Sequence, residues 1–266
     1  MRARARVLLQ LTAAVLVGCS SAAVEPGPPQ VLEHENGWRI QIPRNYASDA
    51  PRPLVVFLHQ SKTGDVGSPW DEPRMQPVTR ALERAGYIVA AATDGQRWGN
   101  QQSQDNYVAL ARWVQANYSV SYVVLLGASM GGLPALNIAA SGALPGLRAV
   151  GGIGACTSLA SMYNHPYFTE DIEAAYGFRG VEEFASATEG FDPMQATPDL
   201  FAQVAIRFWA SPADALVPKA DHADAFAWRI GGQSGNASVV SARGRHLARD
   251  QYRPDEVVAF FDSVAP

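Results

Sequence analysis

Apolar and polar positions along the chain form short strand patterns separated by longer helical ones. Residues 38–42 alternate as an edge or hairpin strand does, whereas 54–58 are continuously apolar, which is typical of a strand covered on both faces. Further strands are predicted at 87–92, 122–126, 150–153, 204–209 and 237–241. Because helical segments separate most of these strands, the pattern predicts an α/β fold with a mostly parallel central sheet flanked by helices.

The helical segments have recognisable ends. Helices are predicted at 79–85, stopped by Gly86, at 130–140, ending near Gly142, and at 255–264. Ser103 is the predicted N-cap of a helix that runs to about residue 117.

Residues 156–200 lack strand character and are predicted to form a helical, lid-like insertion. Large side chains in this segment either line a substrate pocket or simply pack the insertion onto the domain. Trp98 is a further residue that could reach the mouth of a site. The insertion's large side chains are Met162, Tyr163, Tyr167, Phe168, Tyr176, Phe178 and Phe184.

The first thirty residues have a different character. Three arginines precede an apolar run over 7–17 that is too short to span a bilayer, and this predicts a signal peptide over 1–18. The run ends in Leu16-Val17-Gly18-Cys19, which resembles the lipobox of bacterial lipoproteins. That resemblance implies lipidation of Cys19, a tether over 19–30, and an extracytoplasmic protein anchored to a membrane of the bacterial cell envelope. A plain signal peptide with a chance cysteine is the alternative.

Composition sets limits on the remaining chain. With 266 residues, 47% of them hydrophobic and 17% charged, the chain can form one large domain with a sizeable core over 31–266. The net charge of −4 and the lack of a basic run after residue 6 argue against nucleic acid as a partner. No metal and no organic cofactor is expected, because the sequence has neither a His/Cys cluster with ligand spacing nor a phosphate-binding loop. Cys156 is expected to be a small buried side chain.

The segment Gly127-Ala128-Ser129-Met130-Gly131-Gly132 follows a predicted buried strand directly and precedes a predicted helix. A G-x-S-x-G motif in this setting predicts a sharp turn that exposes the serine hydroxyl as a nucleophile, with glycines where strand and helix pack closely. Ser129 is therefore the candidate nucleophile. A glycine-rich packing turn is the alternative interpretation.

A serine nucleophile needs a base and an orienting carboxylate, which follow it along the chain in this type of fold. The loops after the last two predicted strands supply Asp214 and His246. Other residues are weaker candidates: Asp192 could be a helix cap and Asp221 and Asp224 solvated helix residues, while His34, His165 and His222 do not follow strands.

Acyl transfer also needs an oxyanion hole of two backbone amides. The amide of Met130, the residue after the nucleophile, is one candidate. The second is expected from the loop after strand 54–58, which reads His59-Gln60-Ser61.

These motifs resemble those of the α/β-hydrolase superfamily, and the resemblance extends over residues 37–264. It implies a helical insertion after the sixth strand, a structural role for His59, and Ser61 as the second oxyanion donor. Gln60 stands where the family usually has glycine, and its side-chain amide could contribute a donor. Small esterases and the catalytic domains of prolyl-oligopeptidase-like enzymes are the most similar members.

The expected function is a serine esterase that acts on a small-molecule or cell-envelope carboxylic ester through an acyl-enzyme. A prolyl-oligopeptidase-like peptidase is one alternative. A mycolyl-type acyltransferase is another, since it shares Gly-x-Ser-Met-Gly-Gly. A catalytically silent binding lipoprotein on the same scaffold is the non-enzyme alternative.

Overall fold

The structure is a computed structural model that describes residues 30–61, 68–234 and 236–266. Within these residues eight strands form one sheet in the order β1-β2-β4-β3-β5-β6-β7-β8. β1 and β2 run antiparallel to their neighbours, and all the other pairs are parallel. The strands are β1 (Gln30–His34), β2 (Trp38–Ile42), β3 (Arg52–Leu58), β4 (Ile88–Ala92), β5 (Val120–Ala128), β6 (Leu147–Ile153), β7 (Ala205–Ala210) and β8 (Ala237–Ser241).

Helices connect the parallel strands and cover both faces of the sheet. They are α1 (Ser68–Asp71), α2 (Gln76–Arg84), α3 (Gln101–Asn117), α4 (Gly132–Ser141), α5 (Leu159–Tyr163), α6 (Thr169–Tyr176), α7 (Val181–Ala187), α8 (Ala225–Ser234) and α9 (Pro254–Asp262). A π-helical turn, Ala220–Asp224, leads into α8. The predicted α/β class with a mostly parallel, helix-flanked sheet is confirmed.

Strand β3 shows why the central strands are continuously apolar. Leu54, Val56 and Leu58 belong to the core cluster that α3, α4 and α8 cover. Val55 and Phe57 point to the opposite face and belong to the cluster that α2 and α9 cover. Because successive side chains point to opposite faces, a strand with helices on both sides must be apolar at every position.

β1 and the start of α3 differ from the sequence predictions. β1 was not predicted, because as an edge strand it is mostly exposed and its pattern does not alternate cleanly; it is held by pairing with β2. The N-cap of α3 is Asn100 and not Ser103, since the Asn100 side chain accepts a hydrogen bond from the Ser103 amide. The prediction of Ser103 was therefore wrong by one helical turn. Both residue types can cap, and only backbone geometry distinguishes them.

The insertion between β6 and β7 carries α5, α6 and α7. Tyr163, Phe168 and Phe178 in this segment are buried and share a cluster with Met130 and Trp98. These side chains therefore pack the insertion onto the strand-end loops. Other side chains of that cluster are Leu133, Cys156 and Met162, while Tyr176 and Phe184 pack against it half-buried and Tyr167 is exposed.

The signal peptide over 1–18, Cys19 and most of the tether over 19–30 lie outside the described residues. Among the helices that the structure describes, none has both the length and the hydropathy that crossing a bilayer requires.

Candidate active site

Ser129 lies in the turn between β5 and α4. Its φ of +48° is in the left-handed region, which residues with a side chain rarely adopt. The turn is tight: a Cβ on Gly127 would lie 2.5 Å from the Gly131 carbonyl oxygen, and a Cβ on Gly131 would collide with the Leu58 carbonyl. Glycine is required at both positions because backbone occupies the space that a side chain would need.

The structure brings Ser129, His246 and Asp214 together from the carboxyl ends of three parallel strands. Ser129 Oγ lies 2.9 Å from His246 Nε2, and His246 Nδ1 lies 2.7 Å from Asp214 Oδ2. Since a carboxylate only accepts, Nδ1–H donates to Asp214 and Nε2 is left to accept from the Ser129 hydroxyl. The three side chains form an unbroken chain of hydrogen bonds.

Asp214 is held by the turn that follows β7. Its side chain is only 1% exposed, and its Oδ1 accepts from the amides of Leu216, at 3.0 Å, and Val217, at 2.9 Å. These two bonds occupy one carboxylate oxygen and leave Oδ2 for the imidazole. The charge is therefore buried but fully hydrogen-bonded.

The loop that carries His246 is fixed on both sides. Gly244 has a φ of +90° and Leu247 a φ of +50°, so the chain turns sharply around the histidine. Arg74 Nη1 donates to the Leu247 carbonyl at 2.9 Å, and Gln251 Nε2 donates to the Arg245 carbonyl at 3.1 Å. These contacts restrain the ring's position.

The predicted oxyanion segments lie side by side. Leu58 pairs with Gly127 in the register of β3 and β5, so the loop 59–61 and the turn of Ser129 leave the same edge of adjacent strands. His59 and Gln60 are buried, and Ser61 is half-buried. Burial raises the pKa of the Tyr107 phenol well above its ordinary value, and a hydrogen bond from the His59 backbone opposes that rise. Tyr107 therefore contacts the base of this loop.

Cys156 is fully buried against the nucleophile turn. Its amide donates to the Ser129 carbonyl at 2.8 Å. Burial raises the pKa of its thiol to about 12. The thiol is protonated at neutral pH, and the expectation of a small buried side chain is confirmed.

The weaker candidates lie elsewhere or have other contacts. Asp192 accepts from the Met194 amide as an N-cap, and Asp224 pairs with Lys219. His34 stacks on Trp38, and the His165 ring packs against that of Phe168. Asp221 is exposed in the π-helical turn.

Trp98 and His222, both named in the sequence analysis, are buried side chains. Trp98 is buried, with its ring centroid 4.9 Å from that of Phe168, so it does not form an open mouth. His222 is also buried, and its Nδ1 lies 3.2 Å from the Thr157 amide. The sequence carries no signal for this contact, because His222 follows no strand and its partner is a backbone amide.

The described residues do not form a metal site. In residues 30–61, 68–234 and 236–266, no three His, Cys, Asp or Glu side chains are arranged to hold an ion. The chemistry available at the site is that of a hydroxyl, an imidazole, a carboxylate and backbone amides.

The architecture is that of the α/β hydrolases, and solved structures share it at low sequence identity. A puromycin-hydrolysing peptidase of Mycobacterium tuberculosis has a TM-score of 0.70 and 17% identity, over 89% of this chain and 39% of that one. An esterase of Pyrococcus furiosus has a TM-score of 0.61 and 17% identity, over 90% and 91%. A fluorophosphonate-binding serine hydrolase of Staphylococcus aureus has a TM-score of 0.66 and 13% identity, over 90% and 100%.

These similarities establish the fold. The chain spans less than half the length of the mycobacterial peptidase and nearly the whole of the other two proteins. No protein-family model and no curated protein sequence matches the chain.

Proposed function

We propose that the protein is a serine hydrolase that cleaves a carboxylic ester through a covalent acyl-enzyme on Ser129. The observation that carries the proposal is the hydrogen-bond chain from Ser129 Oγ through His246 to Asp214. The left-handed backbone of Ser129 also supports the proposal, because strained backbone conformations cluster at active sites, where the surrounding structure holds them in place. The structural neighbours include esterases, peptidases and a fluorophosphonate-binding hydrolase.

In the proposed first step, Ser129 Oγ attacks the ester carbonyl while its proton passes to His246 Nε2. Asp214 accepts from Nδ1–H and stabilises the imidazolium that forms. The amides of Met130 and Ser61 are the proposed donors to the tetrahedral oxyanion, and each such donor contributes about 3–4 kcal/mol to transition-state stabilisation.

In the second step, His246 returns the proton to the leaving alkoxide as the ester C–O bond breaks. Water then attacks the acyl-enzyme, gives a proton to His246, and releases the acid as that proton returns to Ser129. Every proton passes through His246, and the sequence of steps needs no cofactor.

The experiment is steady-state kinetics on p-nitrophenyl acetate and on the matched p-nitroanilide. We expect hydrolysis of the ester that is lost in Ser129→Ala and retained in Ser61→Ala, which changes a side chain but keeps the backbone amide. Unchanged ester hydrolysis in Ser129→Ala would exclude the covalent mechanism.

A peptidase is the second candidate, because the mycobacterial peptidase has a high TM-score against this chain. Faster cleavage of the anilide or of aminoacyl amides than of the ester would favour it. Transfer of the acyl group to a sugar hydroxyl in preference to water would favour an acyltransferase.

We further propose that the enzyme acts in the bacterial cell envelope as a lipoprotein, supported by the sequence around Cys19. Expression of the whole chain should place it in the membrane fraction, and Cys19→Ala should move it to the soluble extract. Equal distribution of the two forms would contradict the lipid anchor.

A further inference from the structure

His222 is a buried histidine next to the candidate active site, and it takes no part in the proposed acyl transfer. Its side chain lies in the π-helical turn Ala220–Asp224, and the residue is 1% exposed. This turn follows the loop of Asp214 in the chain. Single π-helical turns are rare and are often found at functional sites.

The ring of His222 accepts hydrogen bonds from the backbone of a distant segment. Its Nδ1 lies 3.2 Å from the amide nitrogen of Thr157 and 3.4 Å from that of Ser158. Both partners are donors, so Nδ1 must carry a lone pair and no proton. The neutral ring then has its proton on Nε2, an atom for which no hydrogen-bond partner exists among the described residues.

The neutral state agrees with the surroundings of the ring. Burial lowers the pKa of His222 to about 4; Asp221 and Asp214 oppose the shift, and His246 adds to it. At pH 7 the imidazole is therefore uncharged and available as an acceptor.

The segment that His222 holds is in direct contact with the nucleophile turn. Cys156, which precedes the two bonded amides, donates its own amide to the Ser129 carbonyl at 2.8 Å. A Cβ on Gly132 would lie only 2.5 Å from the Cys156 carbonyl oxygen, so the two backbone segments are in close contact. Residues 156–158 therefore pack against the turn of Ser129 on one side and bond to His222 on the other.

The same segment is the root of the insertion. Ser158 caps α5, because its side chain accepts from the Ser161 amide at 3.1 Å. A shift of this backbone would move both the start of the insertion and the support of Ser129. Without an acceptor at Nδ1, the buried amides of Thr157 and Ser158 would lose their hydrogen bonds to His222, which costs free energy.

We propose that His222 is a positioning residue for Ser129, acting as a hydrogen-bond acceptor that fixes the backbone of 156–158. This inference rests on the proposed function of Ser129 as nucleophile. His222 does not touch the reacting atoms. It acts through the backbone of 157 and 158, and through Cys156, on the turn of the nucleophile.

The matched variants are His222→Asn and His222→Leu. Asparagine places its Oδ1 near the position of Nδ1 and retains the acceptor, whereas leucine has similar bulk and no acceptor. Because Nε2–H has no partner among the described residues, asparagine gives up no described hydrogen bond there. The two variants therefore differ in whether residue 222 can accept hydrogen bonds from the amides of 157 and 158, and the proposal depends on that acceptor.

The first readout is the rate of Ser129 modification by a fluorophosphonate, with kcat and KM for p-nitrophenyl acetate. We expect His222→Asn to react within about threefold of the native protein and His222→Leu to react at least about tenfold more slowly, since small displacements of reacting groups reduce rates strongly. The loss should be in kcat and not in KM, because the ester's binding groups are untouched. Equal rates in the two variants would overturn the proposal.

The second readout does not depend on activity. Amide hydrogen exchange at 157 and 158 should be slow in the native protein and in His222→Asn, and faster in His222→Leu. Equal exchange in the two variants would also overturn the proposal. A native protein that does not react with the fluorophosphonate would refute the proposed function, while the exchange data would still decide the role of His222.

The third readout uses the native chain alone, so it remains valid if His222→Leu does not fold. Long-range ¹⁵N–¹H spectra at pH 7 should show His222 with the proton on Nε2 and a bare Nδ1. A proton on Nδ1 would overturn the proposal, because that nitrogen could not then accept from the two amides.

Discussion

Three residues with side chains adopt a positive φ in the part of the chain that the structure describes: Trp98, Ser129 and Leu247. All three lie in loops that leave the carboxyl edge of the sheet. Ser129 is the candidate nucleophile, Leu247 follows the candidate base, and Trp98 shares a buried cluster with Met130. Each such conformation costs about 1–3 kcal/mol, so their concentration at one edge indicates where the fold holds strained backbone in place.

Asp214→Asn tests the tautomer that the carboxylate imposes. The amide oxygen can still accept from Leu216 and Val217, but its NH₂ group would face Nδ1 and favour a proton on Nε2 of His246. We expect kcat for ester hydrolysis to fall by about 10⁴, with little change in stability.

The control for this variant is Asp224→Asn, which removes only a half-exposed ion pair with Lys219. It should leave kcat unchanged, because Asp224 lies outside the hydrogen-bond chain of the site. A similar loss of kcat in both variants would argue against a specific role for Asp214.

The low pKa of His222 predicts how the stability depends on pH. The folded protein holds the ring neutral down to a pKa of about 4, whereas the unfolded chain protonates it near the ordinary value of 6.5. The unfolded state therefore binds more protons as the pH falls from 6.5 to 4, and this group removes about 3 kcal/mol from the free energy of unfolding over that range.

His222→Asn should abolish this contribution, because asparagine does not titrate. Urea denaturation of both proteins between pH 7 and pH 4 measures the difference. Parallel curves of unfolding free energy against pH would contradict the assignment of a neutral, buried His222.

At this scale the sequence predicted some residues and missed others for a clear reason. Ser129, Asp214 and His246 follow strands, and the structure brings them within hydrogen-bond distance. His222 follows no strand, and its partners are backbone amides of residues 157 and 158. A backbone amide has no signature in a sequence, so such a contact emerges only from the folded chain.

At the scale of elements, the close approach of β3, β5 and α4 depends on glycine. A Cβ at Gly131 would meet the carbonyls of Leu58 and His59, which are backbone and cannot move independently. The helix α4 can begin directly above the sheet only because no side chain intervenes. The same contact ties the loop of Ser61 to the turn of Ser129.

Gly131→Ala should therefore lower the free energy of unfolding by about 2–3 kcal/mol and also reduce kcat, because relief of the clash moves the loop 59–61 away from the turn. Gly231→Ala is the matched control, since a Cβ there meets nothing within 4 Å. That variant should be neutral or more stable by up to about 1 kcal/mol. Denaturation and ester kinetics on both variants measure the effects, and equal stabilities would contradict this packing.

Elements were predicted best where burial leaves a strong pattern. The continuous apolar runs of β3, β4 and β5 follow from helices on both faces of the sheet. β1 was missed because an exposed edge strand is specified by its pairing with β2 and hardly by its own residues. The N-cap of α3 was predicted at Ser103 instead of Asn100, because both residues are good caps and the sequence does not fix where the first helical turn begins.

At the scale of the whole molecule, parallel pairing gathers the site. β5, β6, β7 and β8 run in the same direction, so the loops that carry Ser129, Cys156, Asp214 and His246 leave the sheet at one edge. Residues 117 positions apart thereby come within 2.9 Å of each other. The insertion after β6 packs over the same edge of the sheet. The site is therefore buried by several segments together and not by one loop.

The most direct measurement is modification of the whole protein by a fluorophosphonate, followed by mass spectrometry of its peptides. A phosphonate bond to Oγ forms readily only where a base accepts the hydroxyl proton. We expect one adduct, on the peptide that contains Ser129, and none in Ser129→Ala. No adduct on the native protein, or an adduct that persists in Ser129→Ala, would contradict the proposal that Ser129 is the nucleophile.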